Sequence, residues 1–70
     1  MNTRPHKKLV HEGEFAAEVA VQLIETDDAW SPYLTVEDAR KLDEVRDALR
    51  RGDIAAASTL ARVFRLTPIT

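Results

Sequence analysis

The chain has 70 residues and a formal net charge of −2, from 10 Lys and Arg against 12 Asp and Glu, which argues against nucleic-acid binding through overall charge. It contains no cysteine, so disulfides and thiolate metal sites are excluded. A chain this short buries only about 60% of its unfolded surface, so a compact core, a partner chain or both must hold it, and a homodimer is an expectation from size alone.

The charge is unevenly placed. Residues 1–11 carry Arg4, Lys7 and Lys8 with His6 and His11 and no acid, whereas residues 12–28 carry Glu12, Glu14, Glu18, Glu25, Asp27 and Asp28 and no base. No stretch is long and apolar enough to span a bilayer, and no apolar segment follows the basic start as it does in a secretory signal. The expected location is the cytoplasm, with no membrane partner.

In chain order, residues 1–5 read as a flexible start and residues 6–11, with Leu9 and Val10, as a short strand. Glu12 and Gly13 supply a turn. Residues 15–24 alternate Phe15, Ala17, Val19, Val21 and Leu23 with Ala16, Glu18, Ala20 and Gln22, which is strand period. Phe15, Val19 and Leu23 also fit a helix, and the alanines favour one. The strand is preferred, because Gly13 gives it a hairpin turn. Asp27 and Asp28 mark a turn. A short strand follows, limited by Pro32 to an edge, with Trp30 and Leu34 inward and Tyr33 on the other side.

Residues 35–52 have a start, period and stop that agree on a helix. Thr35 and Asp38 form a capping box, and Glu37 adds negative charge to the first turn. Val36, Ala39, Leu42, Val45, Ala48 and Leu49 recur in steps of three and four. Glu37 with Lys41 and Asp47 with Arg51 are acid-before-base pairs at i, i+4. Arg50, Arg51 and Gly52 close the helix. Asp53 then caps a second helix over residues 54–62, packed through Ile54, Leu60 and Phe64. Residues 63–69 alternate weakly and form a tail that can be extended. The expected fold is α+β, a small antiparallel hairpin or three-strand meander followed by two helices, in one domain over residues 1–70 with a tail at 66–70.

No constellation asks for catalysis. His6 and His11 are five apart and fall on opposite faces of a strand, so a metal site built on them needs ligands from elsewhere. Glu25, Asp27 and Asp28 lack calcium-loop spacing. Asp43, Glu44 and Asp47 lie among Arg40, Arg46 and Arg50 on an open helix face, without the cleft that acid/base work requires. With glycine only at positions 13 and 52 there is no phosphate loop. No cofactor or metal is expected, and the chain reads as non-enzymatic. Trp30, Tyr33 and Phe64 are the large aromatics that either pack the core or anchor a protein partner. Arg4, Lys7 and Lys8 could contact phosphates in a dimer, an alternative disfavoured by the acidic block that follows at once.

The stretch Trp30-Ser31-Pro32-Tyr33-Leu34-Thr35-Val36-Glu37-Asp38-Ala39, continued by Lys41-Leu42-Asp43, Val45-Arg46, Leu49-Arg50 and Gly52-Asp53, resembles a group of short bacterial proteins that carry no assigned activity. More distantly, the order of strand, acidic turn, short Pro-containing strand and Thr-x-Glu-Asp-Ala helix start is similar to HicB-like antitoxins. The Gly-rich turn and Pro-Gly segment usual in those proteins are absent here. The resemblance implies a role class alone, a small protein-binding module that acts as the antitoxin-like partner of a toxin. The alternative is a small dimeric DNA-binding regulator.

Overall fold

The computed structural model describes residues 2–27 and 31–69. Its elements are β1 (Asn2–Glu12), β2 (Phe15–Glu25), β3 (Tyr33–Leu34), α1 (Val36–Arg50), α2 (Ile54–Leu60) and β4 (Arg62–Arg65). The fold is mixed α+β, as the residue pattern implied. The stretch that fitted both periods is strand β2. Gly13, at φ 60°, sits in the tight hairpin between β1 and β2. Asp27 marks a turn after β2, and the Asp28 beside it lies outside the described residues.

Strand β2 is the centre of the sheet. On one edge it pairs with β1 over its whole length, from Asn2 opposite Glu25 to Glu12 opposite Phe15. On the other edge β4 covers its start, Phe15 opposite Arg65 to Glu18 opposite Arg62, and β3 covers its end, Leu23 opposite Leu34 and Ile24 opposite Tyr33. Three expectations are corrected here. The first strand begins at Asn2 rather than His6, because residues 2–5 stay in register with the end of β2. Helix α2 stops at Leu60, where Ala61 turns extended (φ −155°, ψ 166°). The residues after it are not only a tail, since Arg62–Arg65 pair with β2.

Both helices lie on the face of the sheet to which the odd-numbered residues of β2 point. Ala17, Val19 and Val21, with Val10 of β1, form the floor, and Leu42, Val45, Ala48 and Leu49 of α1 with Ala57 of α2 close the core over it. Phe15, Leu34, Ile54, Leu60 and Val63 border that core, half-buried. Covering Leu42, Val45 and Leu49 contributes about 1.5–3 kcal/mol apiece. Strand alternation places Val63 inward and Phe64 on the far face, which corrects the expectation that Phe64 anchors α2.

The first turn of α1 departs from the expected stripe. Val36 is 65% exposed and Ala39 is exposed. The inward row is Asp38, Leu42, Val45, Leu49, spaced by four, three and four, so Asp38 occupies the position facing the sheet. Its amide donates to the Thr35 hydroxyl oxygen at 3.1 Å, the expected cap, but its carboxylate does not return to Thr35. Asp38 Oδ2 instead accepts the backbone amide of Gln22 at 2.7 Å. Lys41 Nζ donates to the Ala20 carbonyl at 2.8 Å rather than joining Glu37. Gln22 and Ala20 lie in the gap between β3 and β4, where among the described residues β2 has no neighbouring strand on that edge. Two side chains of the helix thus do there what a strand does elsewhere. The Asp47–Arg51 pair forms as expected, at 2.6 Å. Gly52, at φ 73°, ends the helix, and Asp53 accepts the Ala56 amide at 3.1 Å to start α2.

Leu42→Ala should lower the urea unfolding free energy by about 2–5 kcal/mol, and Val36→Ala by less than about 0.5. Asp38→Ala should cost about 0.5–1.5 kcal/mol, because the Gln22 amide exchanges its carboxylate acceptor for water. Glu37→Ala in the same turn should cost under about 1 kcal/mol.

Candidate partner-binding surface

With both helices on one face, the other face of the sheet is bare among the described residues. Even-numbered residues of β2 point to it, and the register sets its cross-strand rows. At one end His11, Ala16 and Phe64 stand side by side, then Leu9, Glu18 and Arg62. Lys7 and Ala20 follow, then Pro5 and Gln22, and at the far end Thr3, Ile24 and Tyr33. Leu9 is 66% exposed, Tyr33 50% and Phe64 36%. Ala16 is nonetheless buried, a small side chain among long neighbours. The Arg62 guanidinium stacks over the Phe64 ring at 5.0 Å, which fixes the ring and presents a cation beside it.

Two of the three aromatics singled out from the sequence, Tyr33 and Phe64, therefore share this face. They stand at opposite ends, eight residues apart along β2, about 26 Å at strand rise. Trp30 lies outside the described residues. Leu34 points to the helix side and packs on the core, as its alternation with Tyr33 implied. Leu9, read only as part of a short strand, is the exposed apolar residue between the two ends. The pattern Lys7-Lys8-Leu9-Val10-His11 could have signalled it, since Val10 inward forces Leu9 outward.

Arg4, Lys7 and Lys8 are not one patch. Arg4 and Lys8 share the helix side of β1 with His6 and Val10, and Lys7 is on the bare face. Arg4 Nε lies 2.7 Å from Glu25 Oε1, and Lys7 Nζ lies 4.0 Å from Glu18 Oε2. The acidic block of β2 thus faces the basic strand directly. Lys8 has no ion pair among the described residues. His6 and His11 fall on opposite faces, and the His11 Nε2 lies 2.8 Å from the Gly13 carbonyl, a bond it makes in the Nε2–H tautomer.

The charged outer face of α1 forms an open depression of about 460 Å³ lined by Asp43, Glu44, Arg46, Asp47 and Arg50. Arg46 and Asp43 meet at 3.4 Å, Arg50 and Glu12 at 3.5 Å, all with exposed or half-exposed side chains. Ion pairs open to water in this way do not hold these groups in the dry geometry that acid/base chemistry needs. Among the described residues no group of His, Asp and Glu is arranged to hold a metal ion, and no helix is long and apolar enough to cross a membrane. Comparison with protein-family models, with curated proteins and with solved structures gave no match.

Tyr33→Ala and Arg62→Ala should each change the urea unfolding free energy by less than about 1 kcal/mol, because neither side chain is in the core. Loss of partner binding in these variants therefore reports the surface and not unfolding.

Proposed function

We propose that this chain is a non-catalytic protein-binding module of the cytoplasm that covers a partner protein with the bare face of its sheet. One observation carries this reading: Tyr33, Leu9 and Phe64 are exposed on a sheet face that no element among the described residues covers. Tyr33 and Phe64 at the two ends, with Leu9 in the row next to Phe64 and Lys7, Glu18 and Arg62 between them, offer a partner aromatic anchors and charged contacts on one face. The size of the chain and its likeness to HicB-like antitoxins support the narrower role of an antitoxin-like partner to a toxin. Trp30 joins the anchors in this reading by sequence position. A second copy of the chain is the other occupant the face could take. The DNA-binding alternative is weaker, because Arg4 and Lys7 already meet Glu25 and Glu18.

A photo-reactive amino acid placed at Tyr33 or at Phe64 should cross-link the same partner protein in the host cell, and one placed at Glu37 should not. Equal capture from Glu37, or no cross-link from either aromatic position, contradicts the reading. Titration with duplex DNA at two salt concentrations separates the alternative, which requires binding at low salt and a steep loss as salt rises.

A further inference from the structure

We propose that the outer edge of β1 takes up an extended acidic segment of a partner protein as an added strand. This rests on the protein-binding reading above, but it uses a different surface, the backbone of the sheet edge rather than its bare face.

Strand β1 is 11 residues long, about 36 Å, and among the described residues nothing pairs with its outer side. Which groups lie there follows from the hydrogen bonds of β2. Gln22 gives its amide to Asp38 and Ala20 its carbonyl to Lys41, both on the edge away from β1. In an antiparallel ladder each residue directs both backbone groups to one side, alternately. The odd-numbered residues of β2 therefore bond β1, and their partners in β1 are even-numbered. The odd-numbered residues of β1 face outward: Thr3, Pro5, Lys7, Leu9 and His11. Pro5, which has no amide, falls where none is needed for the ladder. The amides and carbonyls of Lys7, Leu9 and His11 form an unbroken edge of the kind extended peptides add to.

Charge selects the occupant. From residue 2 to residue 11 the strand holds Arg4, His6, Lys7, Lys8 and His11 and no acid. A second copy paired along this stretch brings no acid to Lys8, which unlike Arg4 and Lys7 has no carboxylate from β2 among the described residues, so self-pairing is opposed there. An acidic strand is already accepted on the other side: β2 meets Arg4 and Lys7 with Glu25 and Glu18. Lys8 stands without an ion pair among the described residues, and Leu9 is 66% exposed beside it on the opposite face. The strand that fits alternates carboxylates with β-branched apolar residues.

The test titrates the intact protein, at neutral pH, with an end-blocked nine-residue peptide alternating Glu and Val, followed by amide NMR. Binding with the largest shifts at Lys7, Leu9 and His11 is expected, weakened roughly ten-fold by K7E together with K8E. The same peptide N-methylated at alternate residues, which cannot complete the ladder, should not bind. Equal binding of a Lys-Val peptide, equal binding of the N-methylated peptide, stronger shifts of the same amides by duplex DNA, or no binding overturns the proposal. Shifts centred on Tyr33 and Phe64 overturn it while leaving the bare-face reading intact. Binding at β1 when cross-linkers at Tyr33 and Phe64 capture nothing upholds it and removes that reading.

Discussion

The structure depends on strand β2 having its backbone bonded on both edges. Its inward residues Ala17, Val19 and Val21 are the floor of the core, at 0–3% exposure, and hydrogen bonds along both edges hold that floor in place. One edge is completed by β1. The other is bonded in three pieces: β4, β3, and between them Asp38 and Lys41 of α1, which take the Gln22 amide and the Ala20 carbonyl. The helix that lays Leu42, Val45 and Leu49 on the floor thus also ties down the open stretch of that edge at two points. That double task explains its unusual first turn, where a carboxylate takes the inward position and Val36 is left in water.

The same arrangement determines what is left for other molecules. Because β2 carries the helices on one side and strands on both edges, the sheet itself leaves two surfaces open among the described residues, the bare face and the outer edge of β1. The bare face carries apolar anchors spaced widely, with charge between them. The edge carries backbone groups and cations. Both surfaces are open to water, with Leu9 and Tyr33 exposed on the first and the Lys7 side chain 74% exposed beside the second. The acids of β2 and the bases of β1 neutralise each other at Arg4 and Lys7, and the low net charge hides this local pairing.

Much of the fold was legible in the residues. The period of 15–24, the cap at Thr35, the stop at Gly52 and the cap at Asp53 each carry a local signal that packing did not override. What was not legible is tertiary. Asp38 looked like half of a capping box because its neighbour in sequence is Thr35, and nothing local announces that Gln22 lies closer to its carboxylate. Arg62–Arg65 is too short for period alone to mark as a strand. The exposure of Tyr33 followed from alternation with Leu34. The exposure of Leu9 required knowing that Val10 is the one residue of β1 in the core, which depends on where α1 lies. The length of β1 was hidden by its polar, basic composition, because a strand with one neighbour and little cover needs few apolar residues.

Hydrogen exchange at Val21, Gln22 and Leu23 tests the central claim most directly. These consecutive amides address alternate edges of β2, and Gln22 alone depends on a side chain of α1. All three should be slow in the isolated protein, while Lys7 and Leu9 on the outer edge of β1 exchange quickly. A Gln22 amide that exchanges as fast as that of Leu9 contradicts the account, because β2 then has an open edge and α1 does not complete the sheet.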